Sequence, residues 1–597
     1  MKNSLFLALA IGLASLSTFG QTKFGAYEAK YGPTSTLKGK DGIKSTQIIG
    51  ETEKDVYMVL SGDRSDFRGE GGKVELQRID KKTLKVDKTI ELDESINKDK
   101  TYRIQDILST SNGFMSVAEV KKDGRKTVYV SYIDYNLNIV GFPNKVTDYD
   151  YLKEDLRLIQ RPNSTDFVVL LQKYAKPDEP IIVKYDLYDE KLKVKHTGEV
   201  DMNITYEKKK GLFASNPARS LLNKFEYSEN GELVYMTWIV EGKGSNKVGN
   251  YKLIFLNPLT DKVDQKQLFA DEDVYIGEHT ILEIDGDIVL SGLYSNDKKL
   301  VLSIWNNTSR PSVNSFNGTF FIRYDNKTHN QVVNVHTPFE QKMMNQLTQT
   351  NPAVNKGLFG KKRANKDQDD VSGNYEINKI VYSEEDKKAT FYCEYIYNTV
   401  HTSTTTNANG GTTTKTTYTS TRGNLFYYEL SLQDGSLNYF NTIRKYATYS
   451  SGNSSVWYYK TLFVVPREEG EILFYNSQRI FNENDPKDVT GVKIKTKKLE
   501  QDYFVSEIDR KTGKYNTETP SLVPTKLKPY EKLQMDRCFV SDLERACYTI
   551  NSQYKYRMDL AVISCVTMPL CCAGYFVYMF TLKKGFDETY TISRVTF

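Results

Sequence analysis

The chain has 597 residues, with 81 Lys and Arg against 76 Asp and Glu, a formal net charge of +5. So even a balance excludes a nucleic-acid binder that works by a concentrated basic face, and it specifies no acidic partner. The 42 tyrosines and 28 phenylalanines suit pleated, half-buried surfaces rather than helices, so the expected class is all-β.

Met1–Gly20 reads MKNSLFLALAIGLASLSTFG: Lys2, an apolar core from Leu5 to Leu16, then the small residues Thr18 and Gly20. This is the pattern of a secretory signal peptide, with cleavage expected before Gln21 and an exported mature protein.

A turn then recurs seven times between β-rich runs: RIDKKTLKV (78–86), YIDYNLNIV (132–140), YDLYDEKLKV (185–194), FLNPLTDKV (255–263), YDNKTHNQV (324–332), ELSLQDGSLNY (429–439) and EIDRKTGKY (507–515). Each is expected to begin at Asp80, Asp134, Asp186, Asn257, Asp325, Ser431 or Asp509. A short acceptor side chain there bonds backbone N–H groups just downstream and fixes the turn. Upstream of each turn lies an apolar strand: Val56–Ser61, Phe114–Val120, Phe167–Gln172, Leu233–Val240, Ile288–Leu293, Thr390–Ile396 and Glu471–Tyr475. A strand, loop, strand, turn, strand unit repeated in this way predicts a single large β-propeller of seven or eight blades over 22–557, followed by a C-terminal apolar segment.

Two insertions interrupt the later repeats. In 339–374, Phe339, Met343, Met344 and Leu347 are spaced for one face of a short helix, with basic and then acidic residues after them. In 398–421, threonine dominates around Asn409, Gly410 and Gly411; β-branching and the Asn-Gly turn signal predict a long β-hairpin that is polar on both faces.

The runs FYCEYIYN, NANGGTTT, NLFYYELSLQDGSLNYFNTIRKYATYS and GEILFYNSQRIFNEN, together covering 390–484, resemble a group of uncharacterised secreted propeller-like proteins of Gram-negative bacteria. The resemblance implies a kelch- or WD40-like architecture and an envelope location, and it implies no catalytic residues. Neither the repeated Trp-Asp nor the double-glycine signature of those repeats is present.

Sequence motifs for catalysis are absent: there is no Gly-x-Ser-x-Gly, His-Glu-x-x-His, Cys-x-x-Cys or EF-hand loop. His196, His279, His329, His336 and His401 are scattered, so no metal site or other cofactor is expected. Aligning the apolar strands places Glu119, Gln172 and Glu394, with Trp238 close to the same height, at equivalent strand positions, where propellers commonly bind ligands; these are the candidate binding residues. Cys538 and Cys547 flank Ser541–Glu544 symmetrically, and a tight hairpin would set them opposite one another as a disulfide candidate.

Near the end, Leu560–Leu582 runs without a charge and is followed by Lys583 and Lys584. It is long enough to cross a hydrocarbon core of about 30 Å as a helix. Pro569 and Gly574 also suit a pair of closing strands, so both readings stand, with 583–597 as a tail. The expected function is a secreted binding or scaffold protein of the bacterial envelope whose partner is a protein or glycan. A carbohydrate-active envelope hydrolase or lyase assembled from several blades is the alternative, and a sensor ectodomain follows if 560–582 spans the membrane.

Overall fold

The computed structural model describes residues 21–596 apart from 25–26, 34, 37–42, 63–73, 93–101, 163, 177–178, 190, 205–219, 223–224, 242–247, 270–273, 297–314, 349–370, 373, 384, 407–411, 452–460, 468–469, 478, 481–491, 494–502, 516–537, 542 and 557–585. The fold is all-β, a β-propeller of antiparallel blade-like sheets that follow one another along the chain. Sheet one is Ile43–Glu51, Asp55–Gly62, Val74–Asp80 and Val86–Glu91; sheet two is Tyr102–Thr110, Gly113–Lys122, Arg125–Asp134 and Ile139–Tyr149. Sheet three is Glu154–Gln160, Phe167–Lys173, Ile182–Tyr188 and Val194–Asp201, and sheet four is Glu226–Tyr227, Leu233–Glu241, Val248–Asn257 and Lys262–Leu268. Sheet five contains Tyr275–Ile284, Asp287–Ser295, Gly318–Tyr324 and Gln331–Pro338. Sheet six contains Tyr375–Ser383, Lys388–Thr406, Thr412–Ser431 and Leu437–Ile443, with Ala447–Ser451 added beside the third strand. Sheet seven has three described strands, Leu462–Pro466, Gly470–Asn476 and Tyr503–Asp509. Each of the seven apolar runs read from the sequence forms the second strand of its sheet.

Sheet eight is assembled from both ends of the chain. Gln21–Phe24 pairs with Tyr27–Tyr31, which pairs with Phe586–Thr596; Ala546–Tyr556 lies on the other side of Phe586–Thr596 and pairs in turn with Cys538–Val540. Strands from the two termini sharing one sheet account for the eighth unit. They also correct the expected tail at 583–597, most of which is a central strand.

The chain divides into two compact units. One comprises Met1–Lys121, Thr127–Thr147 and Thr519–Phe597 and holds sheets eight, one and two; the other comprises Lys122–Lys126 and Asp148–Glu518 and holds sheets three to seven. In each unit consecutive sheets pack face to face over an apolar layer. In the first, Met58 and Ile79 of sheet one meet Tyr548 and Ile592 of sheet eight, and Tyr57 and Leu76 meet Phe114 and Ile133 of sheet two. In the second, Tyr185 packs with Tyr235, Phe255 with Tyr324, Phe321 with Phe391 and Phe426, and Tyr427 with Leu473. These strands are apolar on both faces because both faces are covered, at about 25 cal/mol for each Å² removed from water.

The recurring turn has a second role that the sequence did not disclose. Each turn contains one residue in the left-handed region: Leu84, Leu137, Leu192, Asp261, His329, Gly435 and Gly513, with φ between 52° and 74°. Six of the seven meet the preceding sheet within their own unit. Leu84 joins the cluster of sheet eight and Leu137 that of sheet one. Asp261 bonds Tyr185 and His196 of sheet three, and His329 bonds Glu232 and Asp264 of sheet four. Gly435 and Gly513 lie against the rings of Phe321 and Tyr439, so close that an added Cβ would stand 2.7 Å and 2.4 Å from ring carbons. The turn therefore reverses the chain and also ties one sheet to the previous one.

The acceptors of these turns are mostly those expected. Asp80, Asp325 and Asp509 each accept from the backbone N–H and the hydroxyl of a threonine three residues on, Thr83, Thr328 and Thr512, and these bonds hold their carboxyls below the usual carboxylate range. Two positions differ. The strand Ile182–Tyr188 runs past Asp186, and Asp189 makes the turn by accepting from Lys191 and Lys193 N–H. In sheet six Asp434, not Ser431, accepts from Ser436.

The insertion after sheet five holds the helix Gln341–Thr348; Met344 and Leu347 of this helix, with Phe339 just before it, join the core between sheets five and six. The threonine-rich insertion is a two-stranded ribbon, in register from Tyr397↔Thr421 to Thr406↔Thr412 and exposed at every position from His401 through Thr406. Its turn at 407–411 lies outside the described residues.

The segment 560–582 lies outside the described residues too, but its flanks do not. Tyr556 and Phe586 stand opposite each other at the end of the strand pair Ala546–Tyr556 and Phe586–Thr596 that the chain from 557 to 585 connects. Among the described residues no helix is long and apolar enough to cross a membrane.

Candidate functional site

The register tests whether the proposed binding residues are equivalent. Phe167, Leu233 and Ala389 pair with Tyr188, Leu256 and Leu430, the last strand residues before Asp189, Asn257 and Ser431. Gln172, Trp238 and Glu394 each follow five residues later on the second strand of sheets three, four and six. Equal height follows from this register. Glu119 occupies the second strand of sheet two, opposite Arg103, and belongs to the other unit.

Their surroundings separate them. The Gln172 side chain is fully buried, and its Oε1 accepts from Leu221 N–H at 2.8 Å, fixing the approach to sheet four. Glu394 is also fully buried: Lys445 Nζ and Thr461 Oγ1 both donate to its Oε1, and Asn378 Nδ2 donates to Oε2 at 2.9 Å. Lys445 is equally buried, donates to Thr461 Oγ1 at 2.9 Å, and has its pKa lowered by burial against the opposing pull of Glu394. Such a pair is tolerated in the interior because hydrogen bonds from Thr461 and Asn378 supplement the ion pair. Glu119 is nearly buried, at 8% exposure. Of Trp238 only the backbone position is described.

A second acidic group lies where sheets six and seven meet. Glu429 accepts from Asn438 Nδ2 at 3.0 Å and pairs with Lys388 Nζ at 3.2 Å. Glu471 is 1% exposed, and burial raises its pKa to about 7, partly opposed by Arg510 and reinforced by Glu429. Its Oε2 and the Tyr392 hydroxyl have no hydrogen-bond partner among the described residues. Tyr427 closes this layer by donating to Gly513 O at 2.6 Å, and Tyr439 meets Thr390 Oγ1 at 3.3 Å. A carboxyl that titrates near neutrality is chemically able to hold or release a proton. Here it does so inside a tyrosine-lined core.

The third cluster centres on His329. Its ring stacks on Phe255 at 3.9 Å between centroids, with Nε2 2.8 Å from Glu232 and Nδ1 3.0 Å from Asp264. Lys266 lies 3.1 Å from Asp264. Among the described residues no three His, Cys, Asp or Glu side chains are arranged to hold a metal ion.

The two cysteines of the disulfide candidate are not cross-strand neighbours. The hairpin register places Cys538 opposite Thr549 and Cys547 opposite Val540, two residues out of step with a symmetric pairing, because the turn spans Ser541 to Ala546. Cys547 is buried.

Sequence reasoning missed Lys445, Thr461, Glu471 and the clamp at His329. Only the last left a local signal: His329 occupies the turn position that packs as Leu84 and Leu137 do elsewhere. Lys445 and Thr461 reach Glu394 from loops outside any repeat.

No family model and no curated protein matches the chain. Among solved structures it is similar to the β-propeller domain of the trilobed protease from Pyrococcus furiosus, at 10% identity over 82% of this chain and 98% of that one, TM-score 0.28. It is also similar to prolyl oligopeptidase B from Galerina marginata, at 10% identity over 89% of this chain and 54% of that one, TM-score 0.30. A third similarity is to the polysaccharide lyase Uly1, at 10% identity over 62% and 85%, TM-score 0.23. Likeness at this level carries no argument about chemistry, and the fold is read from the sheets themselves.

Proposed function

We propose that this chain is an exported protein of the Gram-negative envelope, a kelch- or WD40-like propeller that binds or scaffolds a protein or glycan rather than transforming it. The observation that carries this reading is the use made of Glu394. At the strand position where a propeller can present a carboxylate to ligand, both oxygens are spent on Lys445, Thr461 and Asn378, out of reach of solvent. The part that does project is the threonine ribbon, whose hydroxyls supply hydrogen-bonding contact area without a carboxylate.

The envelope hydrolase has one observation on its side, the near-neutral Glu471. The two readings separate in one experiment. The full chain is immobilised and exposed to envelope polysaccharides and to solubilised outer-membrane proteins, with retention and release of new reducing ends both recorded. Retention without release is expected. Reducing ends that disappear in Glu471→Gln would replace binding by hydrolysis.

A further inference from the structure

Among the described residues, the ribbon of sheet six leaves one edge uncovered. The strand Lys388–Thr406 is partnered on its outer side as far as the Tyr375↔Tyr395 pair and the bond from Ile396 N–H to Asn374 O. From Tyr397 to Thr406 it is bonded on one side only, to Thr412–Thr421, among the described residues. Ten residues in extended form present about 33 Å of open N–H and C=O groups.

Natural sheet edges are normally protected against strand addition by charge, proline, bulges or short length. Other outer strands of this protein carry that protection: Asp87, Lys88 and Glu91 in sheet one, Lys195, Glu199 and Asp201 in sheet three, Lys262, Asp264 and Lys266 in sheet four. The segment YNTVHTSTTT has no charged residue and no proline. It also exposes two large apolar side chains, Tyr397 at 46% and Val400 at 50%. On one face of the ribbon Thr402, Thr404 and Thr406 stand opposite Thr416, Thr414 and Thr412, with hydroxyl oxygens 3.4 Å and 3.5 Å apart across the first two pairs.

We propose that the edge Tyr397–Thr406 joins two copies of the chain, strand to antiparallel strand about a two-fold axis, to form a four-stranded ribbon. The occupant follows from charge and symmetry. A neutral edge offers nothing to an acidic or basic peptide, whereas two copies of it meet without opposing like charges. With the two-fold axis at Ser403, Thr402 stands against Thr404 and Ser403 against its own copy, pairs favourable across strands, while His401 and Val400 stand against Thr405 and Thr406. The second copy also covers part of Val400. This association is independent of which ligand the propeller takes.

Sedimentation velocity of the full chain across a range of micromolar concentrations tests it. A monomer–dimer equilibrium is expected. In the double variant Thr402→Lys, Thr404→Lys, like charges oppose one another at the edge, and dimerisation should weaken by at least about tenfold, equivalent to about 1.4 kcal/mol, with the melting temperature unchanged. Deletion of 402–416 removes the half of the edge from Thr402 to Thr406 without placing charge on it, and should also give a monomer. A chain that is monomeric throughout, or one whose association survives both changes, overturns the proposal.

Discussion

The imidazole of His329, in the last turn of sheet five, lies 2.8 Å from the carboxylate of Glu232, just before the second strand of sheet four, so one left-handed turn residue ties two sheets together. The ring is stacked on Phe255 and its other nitrogen faces Asp264. Burial disfavours the charged ring, but the bonds to Glu232 and Asp264 outweigh it and raise the His329 pKa.

The sign of the pH dependence follows. With the folded pKa above the unfolded value near 6.5, the clamp contributes fully below about pH 6.5 and is lost as pH rises through the folded value. At the acid end burial tends to raise Asp264, but its bonds to His329 and Lys266 keep the carboxyl low and charged. His329→Gln should cost about 2 kcal/mol at pH 6 and progressively less toward pH 9. Melting curves of both proteins over that range check this, and parallel curves would sink it.

Breaking the Glu394–Lys445 pair should be costly. Lys445→Met leaves Glu394 buried without its cation, and about 3–5 kcal/mol of stability should be lost. Glu394→Gln combined with Lys445→Met removes both charges and should recover part of that loss. Denaturant unfolding gives both values. A double variant as unstable as the sum of the two singles would show that the groups do not act as a pair.

Gly435, in a turn, and Gly141, near the start of the strand Ile139–Tyr149, supply a matched comparison. Gly435 and Gly141 both have positive φ, at 74° and 78°, but a Cβ at Gly141 meets nothing within 4 Å, whereas one at Gly435 meets the Phe321 ring at 2.7 Å. Gly141→Ala should cost about 1 kcal/mol from backbone conformation alone. Gly435→Ala should cost distinctly more, because the turn must lift from sheet five. Equal losses in thermal unfolding would remove the docking role of the turn.

The ribbon should be dispensable for folding. Deleting 402–416 removes side chains polar on both faces and leaves Ser420 and Arg422, which are buried beside Ala447–Ser451. The melting temperature should fall by only a few degrees, on a scale of about 1 kcal/mol. Loss of soluble protein would mean that the ribbon packs against the body.

Truncation before Phe586 should have the opposite effect. It removes an 11-residue strand paired with Tyr27–Tyr31 on one side and Ala546–Tyr556 on the other, leaving two long edges open. Aggregation during expression is the expected outcome. A soluble, cooperatively folding product would show that Phe586–Thr596 is not an integral strand.

The sequence alone determined the local chemistry of this fold. Apolar runs such as Phe167–Gln172, and an Asp followed by Thr three residues on at Asp80, Asp325 and Asp509, carry the strands and turns because both depend on contacts within a few residues. The threonine ribbon was legible for the same reason, since β-branched residues on both sides of an Asn-Gly turn favour strands whatever surrounds them. Tertiary structure alone decided the rest. Glu394 resembled a surface carboxylate until Lys445 and Thr461 reached it from distant loops, and His329 looked isolated until sheet four supplied its two carboxylates. Phe586–Thr596 read as a tail because one of its partners, Tyr27–Tyr31, lies at the other end of the chain and the other, Ala546–Tyr556, lies across the long segment 557–585, and pairing over such separations leaves no local signal in the strand itself.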